Sequence, residues 1–299
     1  MNRGVAHLWG YWLKLDYRNL SFLVVAHGLA VVALFYLASG QARWQTCLFA
    51  LLWLSCCSIS ITGGYHRLLA HRAYRAAWPV RLFYLLFGAA SLQNSALPWC
   101  ADHRAHHAHT DGVSDPYSIA RGFLWAHIGW VIFRADGTPE PAIVRDLASD
   151  RLLRLQHRHY LLLAVLMGAV IPAAVGWLWD DATGAVLLGG FLRVVLQWHA
   201  TFAVNSIAHM IGRQPYTTAV SARDSLFTAL VTLGEGYHNF HHRFPSDYRN
   251  GFRWYQFDPT KWFVWTLCKL RLASGLKRAS LETIESARMS VVSAANCRQ

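Results

Sequence analysis

Four apolar runs, at residues 20–39, 44–62, 160–179 and 184–207, each approach the ~20 residues that a helix needs to cross a bilayer. No other feature constrains the fold as tightly, because a segment in hydrocarbon must satisfy every backbone group internally, and only helices and closed barrels do so. Tight turns separate the first run from the second and the third from the fourth, so the runs read as two helical hairpins. Composition agrees: 54% of the 299 residues are apolar, 15% are charged and 14 are Trp, too greasy and too aromatic for an ordinary soluble domain. A further stretch, 80–97, is apolar but interrupted by Arg81, Gln93 and Asn94, which suits a helix in the interface or along a cavity. No Pro-, Gly- or Ser-rich linker divides the chain. One membrane domain is expected, with a cap at 64–158 and 209–273 and a polar, solvated tail at 274–299.

Charge orients these spans. Of the 28 Lys and Arg, three precede the first run, eleven lie between Arg67 and Arg158 and twelve follow His209, which places 26 on one side. The positive-inside rule makes that side cytoplasmic, together with both termini. Arg43 and Arg193 are the exceptions, and the second turn carries Asp180 and Asp181 instead. The first run is longer than the ~7–15 apolar residues of a cleaved leader and is anchored by Lys14 and Arg18, so it is expected to stay. The net charge of +12 comes from residues scattered beside apolar spans, with no nucleic-acid motif among them. The six cysteines form no C-x-x-C pair, which argues against a disulfide framework or a thiolate metal site.

Three histidine boxes carry the chemistry: His66-Arg-Leu-Leu-Ala-His71, His103-Arg-Ala-His106-His107 and His238-Asn-Phe-His241-His242. In an H-x-x-H-H helix the first, fourth and fifth residues share one face at ~100° per residue, and adjacent His106 and His107 can address different ions. The first box is different: five residues on a straight helix leave its two rings about 140° apart, so a shared metal requires a distortion. Gly63 and Gly64 offer a place for one. Imidazole suits Zn, Cu and Fe rather than Mg or Ca, and eight ligands imply two ions. Zinc would fit a hydrolase but has no redox chemistry. His7, His109, His157 and His159 read as solvated, and His27, His127 and His199 as packed or hydrogen-bonded. The expected fold class is an all-α integral membrane protein: four transmembrane helices in two hairpins, with a cytoplasmic helical cap holding a two-metal site.

In this order around two hairpins the boxes resemble the membrane fatty acid desaturase family, in particular its stearoyl-CoA (acyl-CoA delta-9) branch. Thr62 to Leu68, Asp102 to His107, Gly122-Phe123 with His127 to Trp130, Asn205 to His209 and Gly234 to His238 all echo that branch, and the likeness covers about residues 20–270. The resemblance implies a ninth ligand, His209, and an Asn205 that meets a metal-bound water. It assigns His66, His71, His103, His107 and His242 to one iron, and His106, His209, His238 and His241 to the other. Asp102, Asp115 and Glu235 are the expected partners of the ligands' other ring nitrogens. Gln93, Trp99 and Thr201 should enclose a bend in an acyl slot, with Leu54 and Ser58 at its far end, one helical face of the second span.

The activity implied is O2-dependent removal of two hydrogens from adjacent methylenes of a saturated acyl chain, giving a cis, delta-9 double bond at a di-iron centre. Arg134 matches a position that holds the phosphates of CoA, whereas Ala101 stands where animal members carry Arg. Acyl-CoA is the first expectation, with acyl-lipid and acyl carrier protein substrates open. No cytochrome b5-like, flavin-binding or NAD-binding segment is recognisable, so electrons should come from a separate carrier such as ferredoxin, rubredoxin or a cytochrome. A bacterial inner membrane is the expected setting. A fatty acyl or alkane hydroxylase of the same superfamily is the nearest alternative. A His-rich metal transporter is remote, because the boxes lie at the ends of spans that contain no acidic residue.

Overall fold

A computed structural model describes residues 5–8, 11–134 and 141–297, with the side chains of 14–133 and 143–297. Its frame is four long apolar helices, Tyr17–Ala38, Trp44–Ala70, Tyr160–Trp179 and Ala182–His209, each long enough to cross a membrane. The protein is integral to the membrane. Val24, Val25, Val31, Val32 and Phe35 of the first span are half or more exposed, as a lipid-facing surface requires, while Ala26, Ala30 and Ala33 are buried. Those alanines let the first span approach the fourth closely, the usual device where lipid removes the hydrophobic drive for helix association.

The two hairpin turns meet at the end of the bundle remote from the boxes. Asp181 accepts from Tyr36 Oη at 2.7 Å, Thr46 Oγ1 at 2.6 Å, Arg43 N at 3.0 Å and Gly184 N at 2.9 Å. One carboxylate thereby caps the fourth span and holds the first turn against the second. Arg193, the basic exception inside a span, is buried and donates to Ala90 O at 2.8 Å and Gly189 O at 2.9 Å. Through Ala90 it answers a carbonyl at the C-terminal end of the helix Trp78–Ala90, and through Gly189 it bonds back to its own span.

The second span runs beyond the apolar stretch and changes character, since Ser60–Ala70 is π-helical. The cap then takes over. The helix Trp78–Ala90 lies on the second and third spans, and a turn with positive φ at Leu92 and Asn94 leads into Ala96–His109, which carries the second box. Short helices Arg145–Ala148 and Arg151–Arg158 return the chain to the third span. After the fourth span come Leu226–Val231, His238–Arg243 with the third box, and Pro259–Lys269.

One finding qualifies the all-α expectation. Short strands exist: Val5–Leu8, Tyr11–Leu15 and Phe133–Arg134 form one antiparallel sheet, and Arg75–Ala76 pairs with Ala273–Ser274. They tie loop ends together and leave the fold mostly helical. The tail forms a helix at Leu281–Asn296, capped by Ser280, which accepts from Thr283 N at 3.1 Å, and most of it is exposed as a solvated tail would be. Ile284 and Ala287 are buried there against Tyr216 and Phe240. Ile284 and Ala287, three apart, form too narrow a stripe to read as a packed face, because Leu281, Met289 and Val292 of the same helix are exposed.

Candidate metal centre

The distortion that the first box requires is the π-helix itself. Its wider turn is closed by bonds between residues five apart, including His71 N to His66 O at 3.1 Å. Residues five apart therefore stand over one another, and the rings of His66 and His71 lie 4.8 Å centre to centre. Gly63 and Gly64 serve packing more than backbone freedom. A Cβ on Gly64 would fall 2.6 Å from Tyr84, and one on Gly63 3.2 Å from its hydroxyl. The widened turn can seat against the Trp78–Ala90 helix only without those side chains.

Nine imidazoles converge as two groups, His66, His71, His103, His107 and His241 in one and His106, His209, His238 and His242 in the other. This exchanges His241 and His242 relative to the expected assignment. His241 Nε2 lies 3.0 Å from both His66 Nε2 and His107 Nε2, while His242 Nε2 lies 3.1 Å from His238 and 3.2 Å from His106. Helical phase accounts for it. Residues i and i+4 stand about 40° apart, closer than the about 60° between i and i+3, so the first and fifth histidines of each H-x-x-H-H box share a group and the fourth joins the other. His103 with His107 follows the same rule.

The protons on these rings decide what the groups can bind. His66 Nδ1 lies 3.0 Å from Glu235 and His106 Nδ1 lies 2.9 Å from Asp115. A carboxylate can only accept, so both protons sit on Nδ1 and both Nε2 atoms are bare. Ser221 Oγ donates to Asp111 at 2.5 Å, so it must accept from His209 Nδ1 at 2.7 Å. His209 Nε2 is then bare too, buried and, among the described residues, without a hydrogen-bond partner. Burial first, and the neighbouring imidazoles second, push His71, His103, His107, His238, His241 and His242 well below the ordinary pKa. Facing nitrogens at 2.7–3.2 Å with more lone pairs than protons would repel one another. A metal cation in each group removes the conflict, so the residues fit a two-metal centre.

Glu235 does more than orient His66. It also accepts from Arg67 Nη2 at 2.8 Å and Asn250 Nδ2 at 2.7 Å, and Arg67 bonds Asp258 at 3.0 Å. Burial would raise the Glu235 carboxyl, but the Arg67 guanidinium and His66 hold it down at about 2. Asp102 behaves otherwise. Among the described residues no imidazole nitrogen reaches its carboxylate, and burial pushes that group up to about 7. Arg67, Asn250, Asp258, Asp111 and Ser221 were not singled out from sequence. Only the position of Asp111 just past the second box hinted at any of them.

Beside the metal groups lies a cavity of about 910 Å³, lined among others by His66, His103, His106 and His238 and by Gln93, Trp99, Thr201 and Asn205. Gln93 Nε2 donates to Thr201 Oγ1 at 2.9 Å, Trp99 Nε1 donates to Gln93 Oε1 at 3.3 Å, and the Trp99 ring stacks on His103 at 5.2 Å. These three therefore frame the cavity next to the first metal group. Asn205 ends the regular part of the fourth span, and the 3-10 turn Ile207–His209 follows. Ser58 lines the cavity and Leu54 does not. The Arg134 side chain lies outside the described residues. His27, His199 and His127 form a separate hydrogen-bonded chain with contacts of 3.1 and 3.0 Å, and His157 is exposed, as expected, with its Nδ1 2.6 Å from Ser95 Oγ.

Comparison with known proteins agrees with this geometry. The fatty acid desaturase family model matches residues 42–274, which hold three spans and all three boxes. Acyl-CoA desaturase 1 of Saccharomyces cerevisiae is 42% identical over 273 residues, 89% of this chain and 53% of that protein. The probable acyl-CoA desaturase of Schizosaccharomyces pombe is 43% identical over 87% of this chain and 55% of its own length, so the chain spans about half the length of these yeast relatives. Stearoyl-CoA desaturase 5 of Bos taurus is 34% identical over 93% of this chain and 84% of its own length. With a family match over most of its length, relatives above 30% identity and two imidazole groups built from the matched boxes, the chain belongs to the fatty acid desaturase family.

Proposed function

We propose that the chain is an O2-dependent acyl desaturase that introduces a cis, delta-9 double bond into a saturated acyl chain, acyl-CoA being the first substrate. One observation carries this reading: two groups of neutral imidazoles stand at the wall of a long, mostly apolar cavity within the spans. The named activities of the relatives support it. Removal of two hydrogens from adjacent methylenes needs a redox-active metal, which zinc is not, so iron is assigned to both groups. His66, His71, His103, His107 and His241 would hold one ion, and His106, His209, His238 and His242 the other, with Asn205 placed to meet a bound water.

When bound, the iron pair supplies the activation of O2 and the oxidising power to remove two hydrogens; two electrons and two protons from outside complete the reduction of O2 to two waters. The chain's own residues prepare that step. Glu235, Asp115 and Ser221 keep ligand Nε2 atoms bare, and Gln93, Thr201 and Trp99 fix the acyl chain at a bend beside His103. The apolar walls exclude water from the reacting carbons. Lysines and arginines on one side of the spans put the cap and centre in the cytoplasm, where a separate ferredoxin, rubredoxin or cytochrome would deliver electrons. The test is expression in a host with a suitable reductase, derivatisation of cellular fatty acids and location of new double bonds by mass spectrometry. Wild type should add unsaturated acids and His107→Ala should not; identical profiles refute the reading, and hydroxylated products would assign a hydroxylase.

A further inference from the structure

The cavity has a definable floor. On the third span its lining residues run from Tyr160 through Ala164 and Val165 to Gly168 and Ala169, and neither Ile171 nor Pro172 is among them; on the fourth span the deepest is Gly190, and on the second Ser58. Gly168 and Gly190 face each other in one layer at this end of the cavity. Ser58 stands eight residues before His66 on the second span. Immediately beyond the layer the bundle is solid: Trp53 Nε1 donates to Met167 O at 3.1 Å, the Trp53 ring meets Phe87 at 4.7 Å, and Phe49 lies 2.7 Å from where a Cβ on Gly189 would stand.

The two glycines of the floor differ. A Cβ on Gly190 would meet the Gly168 carbonyl oxygen at 3.0 Å, so Gly190 is needed for the two backbones to approach. A Cβ on Gly168 would meet nothing within 4 Å. Gly168 lies on the lining face of the third span, which Leu161, Ala164 and Val165 continue toward the metal groups and Ala169 ends. The space beside it is open only because the residue has no side chain.

We propose that Gly168 is a specificity-determining residue of the acyl slot: its missing side chain sets how long a chain the slot accepts. The inference rests on the desaturase reading for what fills the slot. A leucine there grows upward into the last open volume above the Trp53 shelf and removes room for the distal methylenes. A methylene that no longer fits a hydrophobic pocket changes selectivity by about tenfold or more.

The test uses the full-length protein in detergent or nanodiscs, with myristoyl, palmitoyl and stearoyl CoA as probes. Equilibrium binding is measured on metal-free protein, and relative kcat/KM on iron-loaded protein with a chemical or protein reductant. Gly168→Leu should lower stearoyl relative to myristoyl binding and turnover at least tenfold, with iron content and myristoyl turnover retained. Gly168→Ala should shift both ratios the same way by a smaller factor, and it keeps the test valid if the leucine variant fails to fold. Gly28→Leu, on the exposed face of the first span where a Cβ also meets nothing within 4 Å, should leave both ratios unchanged. Unchanged ratios in both Gly168 variants overturn the inference even when wild type is active. If wild type binds graded chains with the expected shift but forms no double bond, the desaturase reading falls and the slot assignment stands.

Discussion

Replacing Glu235 by Gln changes almost no volume but removes an acceptor that three donors share. Arg67 Nη2 approaches Oε1 at 2.8 Å, and His66 Nδ1 and Asn250 Nδ2 approach Oε2 at 3.0 and 2.7 Å. The charged Arg67 bond is the stronger, so the amide oxygen of the glutamine should stay with Arg67. The amide NH2 then faces His66 Nδ1. To accept from it, His66 must carry its proton on Nε2, which points into the first metal group and can no longer bind. Loss of such an orienting partner typically costs 10–100-fold in metal affinity, or about 1.4–2.8 kcal/mol. The second group keeps its own partners, Asp115 and Ser221, so the damage should be confined to one ion. Elemental analysis after dialysis against a graded iron chelator should show Glu235→Gln protein falling from two irons toward one at chelator levels that wild type withstands. Arg67 retains Asp258 at 3.0 Å, so the melting temperature of the metal-free protein should change little. Equal retention of both irons would refute the tautomer reasoning, and parallel loss of both would show that the groups are not independent.

Three further outcomes follow from the same geometry. Metal-free protein should lose stability steeply as pH falls, since His71, His103, His107, His238, His241 and His242 have folded pKa values below the unfolded one. Stability is then full above about pH 6.5, and each ring held neutral costs about 1.4 kcal/mol per pH unit below it; a flat melting profile between pH 7.5 and 5.5 contradicts this burial. Gly64→Ala places a methyl 2.6 Å from Tyr84 and should destabilise by about 1–3 kcal/mol through overpacking, read as a lower unfolding midpoint; a wild-type midpoint denies the close approach. Ile284→Ala empties a fully buried site under Phe240 and should cost about 2–5 kcal/mol, read by thermal unfolding with iron retention followed in parallel; wild-type behaviour would return the C-terminal helix to solvent.

The spans were readable because a bilayer demands about 20 apolar residues whatever the tertiary contacts, so the sequence carries that constraint locally. The first box was readable as an inconsistency, two rings about 140° apart that must share a metal. Its resolution by a π-helix reaching Ala70 was not, because that depends on Gly63 and Gly64 fitting under Tyr84. The buried network around Glu235 joins Arg67 to Asp258, 191 residues away, and Asn250 to Glu235 across a loop. Such pairs leave no periodicity in a single sequence. Ser221, which fixes the His209 tautomer, is one small hydroxyl among many.

The exchange of His241 and His242 was within reach of the sequence. A helix of six residues, His238–Arg243, has too few turns to drift in phase, so which ring sides with His238 is settled by the 20° difference between an i+3 and an i+4 offset, about 60° against about 40°. The second box, on the fourteen-residue helix Ala96–His109, obeys the same inequality, with His107 beside His103 and His106 turned to the other group. Each H-x-x-H-H box therefore reaches both groups, two rings to one and one ring to the other, and the two helices contribute in opposite proportion, while His66 and His71 of the first box serve one group. That arrangement makes the centre a crosslink: neither box can lose its place without disturbing both metals, so fixing the cap against the spans and holding the metal pair are one and the same structural act.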